Sequence, residues 1–334
     1  MPRQGRLNIE GGIYHVIQRG IERRDIFRDD ADREEFINRL GKGLKETGHH
    51  CYGWALIPNH FHLLIRTGVK PLSDLMRKVL TGYAIYFNRR HNRKGYLYQN
   101  RYKSILCQEE SYLLELVRYI HLNPLRAKLV KNIEGLNRYK WSGHSVLIGL
   151  RKADWQSTGE ILEQFGSKKS EAIKKYIEFV EDGKDIGQRE ELTGGGLRRS
   201  AGGWIGVLSL KRANAGWQGD ERILGDGDFV NKVLKDSEES MIKKERLKKE
   251  GWDINKLVRK VCEMTGIKEE EIHRRSKDSK ISQARSLVIY WGNKELGITG
   301  VELGKYFGIT KPSISASIKR GEIIVRNKMY NLTI

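Results

Sequence analysis

The sequence predicts an α+β amino-terminal domain built on an antiparallel sheet, then an irregular and helical middle, then an all-α carboxy-terminal domain. Three observations predict this. Up to about residue 125, strand-period and helix-period patterns alternate in the order β-α-β-β-α-β-α. From 151 to 250 the patterns weaken, and glycine-rich and highly charged stretches interrupt them. After 251 only helix-period patterns remain. The expected divisions are therefore 1–150, an extension and linker at 151–250, and 251–334.

Each element has its own signal. Residues 13–17 alternate as a strand, with Tyr14 and Val16 on one face and Ile13, His15 and Ile17 on the other. Phe36, Leu40 and Leu44 mark a charged helix over 31–47. Residues 50–56 and 60–66 read as strands joined by a turn at Ile57-Pro58-Asn59, because Pro fixes φ and Asn tolerates turn geometry. Residues 72–91 form a long amphipathic helix whose Tyr83, Tyr86 and Phe87 suit a core better than a base-stacking platform. A strand over 102–108 precedes a helix over 111–123, with an apolar arc of Leu113, Leu114, Leu116, Val117 and Ile120. Antiparallel sheets with helices packed on one face commonly use this order, as ferredoxin-like folds do.

In the middle, 168–182 reads as a helix, 193–196 and 201–203 as turn-forming glycine stretches, and 240–250 as a solvated helix or linker. Farther on, Leu257, Val261 and Met264 share one helical face, and Ala284, Leu287, Val288 and Trp291 mark another. Residues 299–315 read as a helix, a glycine-containing turn and a second helix opening at Pro312-Ser313, the layout of a helix-turn-helix.

Composition bounds the function. The 334 residues carry 62 Lys and Arg against 42 Asp and Glu, a net charge of +20. At 38% hydrophobic and 9% aromatic, the chain can build buried cores, which excludes wholesale disorder. No apolar run approaches the roughly 18 residues that span a bilayer, and no signal peptide follows the initial Met1-Pro2-Arg3. Cys51, Cys107 and Cys262 lie far apart, which fits a reduced, cytoplasmic chain and no CxxC zinc site. Residues 51–140 hold 16 basic against 5 acidic side chains, and residues 251–334 hold 16 against 9. Two separate basic segments point to a polyanionic partner, foremost nucleic acid.

Chemistry concentrates in two short stretches. His60 and His62 alternate with Phe61 on one strand, so both imidazoles share a face and can converge on one cation. Taken alone, the pattern equally fits two polar residues on a solvated face. Tyr119 and Asn123 lie four apart at the edge of the 111–123 helix, and Pro124 disfavours helix at Asn123 and beyond. An amide oxygen at that helix end with two imidazoles makes a three-ligand site with open positions, suited to Mg²⁺ or Mn²⁺ engaging phosphate. A tyrosine hydroxyl beside it can act as a nucleophile. Without the histidines, Tyr119 reads as a helix-edge residue and Asn123 as a cap. Arg101, Arg118 and Arg126 flank the stretch and suit phosphate contacts or a plain charged surface.

His60-Phe61-His62 resembles the His-hydrophobic-His motif of the HUH endonucleases. Residues 119–124, Tyr-Ile-His-Leu-Asn-Pro, resemble the catalytic helix of the REP-associated tyrosine transposases. Gln18-Arg19-Gly20, the run 54–60 and the run 99–104 are similar as well. The resemblance implies an HUH nuclease fold that cleaves single-stranded hairpin or palindromic DNA and transfers strands. Tyr119 would form a 5′-phosphotyrosine link and leave a free 3′-OH, while His60, His62 and Asn123 would hold a divalent ion. Asn123 stands where some relatives use Gln. Family members act as monomers or homodimers. The last 84 residues resemble the DNA-binding domain of the replication initiator DnaA, with Leu303, Phe307 and Ile314 in core positions. In that resemblance Lys311, Ser313, Ser315 and Lys319 would face duplex DNA. The alternative function is a DNA-binding repressor or structural factor whose nuclease is vestigial.

Overall fold

The structure is a computed structural model that describes residues 6–186, 192, 220–274, 279–330 and 332, with the side chains of 110, 239–241 and 311 left out. The glycine stretches expected at 193–196 and 201–203 lie outside the described residues. The chain divides into two compact units, Met1–Lys232 and Val233–Ile334.

The first unit opens with β1 (Ile13–Arg19), α1 (Asp30–Thr47), β2 (His50–Ile57), β3 (His60–Arg66), α2 (Leu72–Arg90), β4 (Lys103–Cys107) and α3 (Glu109–His121). This is the order read from the sequence. Each start has a local cause. The Asp29 carboxylate accepts the Asp32 amide to cap α1, and Pro71 leads into α2. The sheet runs β2-β3-β1-β4-β5, and β1 sits antiparallel between β3 and β4. The last strand, β5 (Ile223–Leu224), pairs parallel to β4. Two residues carry no readable period, so this edge strand was not foreseen.

Helices cover both faces of the sheet, where the sequence led us to expect one. Phe36 of α1 packs on Phe61 at 4.7 Å and on Tyr83 of α2 at 5.3 Å, between ring centroids. On the opposite face, Ile13, Leu64 and Ile105 join Leu116, Val117 and Ile120 of α3 in one buried cluster. The reason is that one face of the central strands is apolar over most of its length, with Tyr14, Val16, Phe61, Leu63 and Ile65, and the other carries an apolar patch at Ile13, Leu64 and Ile105, so each must be buried.

After α3 the chain does not leave the helical path at Asn123. The short α4 (Asn123–Arg126) follows at once, with Pro124 in its first turn, where a missing N–H costs no helical bond. Then come α5 (Ile133–Arg138), α6 (Gly143–Leu147), α7 (Gly159–Glu163) and α8 (Lys169–Asp182). Described residues of the stretch expected to be extension and linker, between 161 and 192, contribute to the first unit's core. Ile161, Leu162, Ala172, Tyr176, Val180 and Leu192 belong to the same buried cluster as α3.

In the second unit the charged 240–250 stretch continues the helix α9 (Gly227–Lys249), and α10 (Ile254–Thr265), α11 (Glu269–Ile272), α12 (Ser279–Lys294), α13 (Gly300–Phe307) and α14 (Lys311–Lys328) follow. Leu257, Val261, Ala284, Leu287, Val288, Trp291, Leu303, Phe307 and Ile314 are all buried. Thr299 and Glu302 form a capping box at the start of α13. Gly308 turns the chain toward α14 at φ +61°, a left-handed conformation that glycine adopts without strain.

One buried polar cluster ties α8 to α3. The Tyr176 hydroxyl lies 2.7 Å from His121 Nδ1 and 2.9 Å from His144 Nδ1, and His144 Nε2 lies 2.7 Å from the Asn137 oxygen. Gly143 is obligatory beside it, because a Cβ there would sit 2.8 Å from both His121 Nε2 and Trp54 Cδ1. Tyr176→Phe leaves two buried imidazole nitrogens without a partner and should lower stability by about 1–3 kcal/mol. Urea unfolding followed through the first unit measures it, and a change under about 0.5 kcal/mol would contradict the assignment.

Candidate active site

The second sheet face changes character along its length. Ile13, Leu64 and Ile105 are apolar, and the rows beyond them are polar. In register, Ile17 of β1 stands between His62 of β3 and Lys103 of β4, and Arg19 stands opposite His60. Paired residues project to one side of a sheet, so His15, Arg19, His60, His62 and Lys103 share this face. The apolar arc of α3 packs over the greasy end and carries Tyr119, near its own C-terminus, out over the polar end. A cavity of about 550 Å³ opens there, and His60, His62, Tyr119 and Asn123 all line it.

The imidazoles are held tightly. His60 and His62 ring centroids lie 5.1 Å apart, and Tyr119 lies 6.0 Å from His62 and 6.0 Å from His15. His60 Nδ1 sits 2.6 Å from the Asn59 oxygen, whose own amide group donates to the Arg23 carbonyl at 3.2 Å. His60 Nδ1 therefore carries the proton, and its Nε2 keeps a lone pair. Burial, aided by the Arg19 guanidinium, pushes His60 down to about 4. Burial first, then the neighbouring His15, His60, Arg19 and Arg126, holds His62 well below its ordinary value. Both rings are neutral near pH 7, the state that binds metals.

Asn123 lines the same cavity. Its amide group donates to the Tyr119 carbonyl at 3.0 Å and the Ile120 carbonyl at 3.3 Å, which leaves the oxygen as the atom for the cavity. Among the described residues no three His, Cys, Asp or Glu side chains gather to hold a metal. Two imidazole nitrogens and one amide oxygen fit an ion that keeps open positions for phosphate.

The flanking arginines divide. Arg101 and Arg126 line the cavity. The Arg126 guanidinium lies 4.9 Å over the Tyr119 ring and donates to the Tyr119 carbonyl at 3.1 Å. Arg118 is elsewhere: it grips Glu115 through two contacts of 2.7 and 2.8 Å and stacks 4.2 Å over Phe179 of α8. One helical step from Tyr119 turned it onto the α8 side, so it is a structural joint. His121 faces the Tyr176 cluster, away from the cavity. In the second unit Ser313 and Lys319 are exposed on α14 and Ser315 is half-buried, while the Lys311 side chain lies outside the described residues.

Arg19 and Lys103 stood in the sequence only within family-like runs and were given no site role, although both line the cavity. The alternation of β1 was legible; its register against β3 and β4 was not. His15 was noted without a partner, and it lies 2.9 Å from His62.

The family described as "Transposase IS200 like" matches residues 8–123, about a third of the chain. His60, His62, Tyr119 and Asn123 all fall within that span. Among solved structures, a REP-associated tyrosine transposase bound to a REP hairpin is 18% identical, over 47% of this chain and 92% of its own, with a TM-score of 0.38. No curated protein matches the chain. No helix among the described residues is long and apolar enough to cross a membrane.

The pH dependence follows from His60. Its folded value lies below the ordinary 6.5, so the unfolded chain takes up the proton first. The stability it contributes is present above pH 6.5 and is lost as pH falls toward 4. A titration of labelled histidines by NMR should place the His60 midpoint near 4. A midpoint at its ordinary value would contradict the burial argument.

Proposed function

We propose that the first unit is a metal-dependent, single-stranded DNA endonuclease and strand transferase that acts on hairpin or palindromic DNA through Tyr119. One observation carries the reading: a tyrosine hydroxyl, two neutral imidazoles and an amide oxygen line a single cavity that Arg19, Arg101, Lys103 and Arg126 make cationic. The match of residues 8–123 to a transposase family supports it independently.

His60, His62 and Asn123 would hold a Mg²⁺ or Mn²⁺ ion, which supplies Lewis-acid polarisation of the scissile phosphate. The chain's own groups do the rest. Arg101, Lys103 and Arg126 bind phosphate oxygens and position the strand. The Tyr119 oxygen bonds to phosphorus as the bond from phosphorus to the 3′ oxygen breaks. Tyrosine gives up one proton and the departing 3′ oxygen gains one. The product is a 5′-phosphotyrosine and a free 3′-OH. Attack by a 3′-OH from another strand reverses the exchange, restores the tyrosine and consumes no ATP. Tyr119 is only 8% exposed, which limits competing attack by water.

The second unit would dock on duplex DNA through α13 and α14. Ser313, Ser315 and Lys319 lie on the first turns of α14, where a recognition helix meets base edges and phosphates.

Incubation with a single-stranded hairpin and Mn²⁺ should yield a covalent adduct on a denaturing gel, and Tyr119→Phe should abolish it. His60→Ala should cut cleavage by at least about 100-fold while leaving DNA affinity unchanged. Metal-independent binding without any cleavage by the unaltered chain would favour the repressor reading instead. For the second unit, Lys319→Ala should lower the slope of log affinity against log salt by about 1 on duplex DNA. An unchanged slope would remove Lys319 from the interface.

A further inference from the structure

We infer that the chain beyond the family-matched segment sets the metal-ligating tautomer of His62, acting through His15 as a positioning residue. The inference rests on the reading of His62 as a metal ligand and names what orients it. The observation is a relay of two hydrogen bonds. His15 Nδ1 lies 3.1 Å from the Leu192 backbone carbonyl, and His15 Nε2 lies 2.9 Å from His62 Nδ1.

The protons of this relay follow from its far end. A carbonyl oxygen can only accept, so His15 Nδ1 carries a hydrogen. In a neutral imidazole the other nitrogen, Nε2, then holds a lone pair. Two lone pairs cannot face each other at 2.9 Å, so His62 Nδ1 must be the donor. That leaves the lone pair of His62 on Nε2. His60 reaches the same tautomer by a separate route, through Asn59. The two ligands are therefore set by different parts of the chain, one by the adjacent turn and one by a residue far along it.

Leu192 lies well beyond residue 123, where the family match ends. Its side chain is wholly buried in the cluster that holds α3. His15 is also wholly buried and stacks on His62 with centroids 5.2 Å apart. Partners of this kind fix ring orientation and raise ligand basicity, and losing one typically costs about 10–100-fold in metal affinity.

The test compares the full-length protein with His15→Leu and His15→Gln. The leucine variant removes the acceptor, and the glutamine variant keeps one for the His62 N–H. Mn²⁺ binding followed by electron paramagnetic resonance should weaken by about 10–100-fold in His15→Leu and recover to within about threefold in His15→Gln. NMR of labelled imidazoles in the unaltered protein should find the proton of His62 on Nδ1, and His60 unchanged in His15→Gln. Equal Mn²⁺ affinity in His15→Leu, or a proton on Nε2 of His62 in the unaltered protein, overturns the inference. Should His15→Leu fail to fold, the tautomer of the unaltered protein and the glutamine variant still decide it. An unaltered protein that binds no Mn²⁺ would defeat the metal reading, while the imidazole tautomers would still report on the relay.

Discussion

The packing of α3 against the second face of the sheet is the contact on which the rest depends. Leu116, Val117 and Ile120 share one cluster with Ile13, Leu64 and Ile105, and all six are buried. That seam sets the height and rotation of the helix. Tyr119 leaves the same helix at the seam's polar end, so its distance from His62 follows from apolar packing and not from any attraction between the two rings. Close-packed cores transmit small shifts, which makes the reactive geometry a property of the whole layer.

The same burial that orients the site also tunes it. An imidazolium loses its water shell in such a place and has several cationic neighbours, so both terms favour the neutral ring. Burial is the larger cause for both rings, and Arg19 adds to it for both and Arg126 for His62. Hydrogen bonds then decide which nitrogen holds the lone pair, through Asn59 for one ring and His15 for the other. Charge, burial and tautomer act in one direction.

Tyr176, Phe179 and Leu192, well past residue 150, belong to this arrangement. Tyr176 contacts His121 on α3, Arg118 of α3 reaches Phe179 and Glu115, and the Leu192 carbonyl meets His15. Weak periodicity had made this stretch look like a connector. Its short helices bury only a few residues each, such as Ile161, Leu162, Ala172 and Tyr176, and a few contacts do not produce a strong pattern. The buried polar groups among them were invisible because their partners come from distant segments.

The sequence by itself determined the order of the first seven elements and which chemically capable side chains lie close together. Alternation put His60 and His62 on one face, helical spacing set Tyr119 beside Asn123, and these rules are local because they depend only on backbone geometry. Only the tertiary structure decided which other groups join them. Strand register brought Arg19 and Lys103 alongside, helix packing took Arg118 away to α8, and a remote carbonyl met His15. Register, rotation and long-range contact are set by the burial of whole faces against each other, and no short stretch of sequence contains that information.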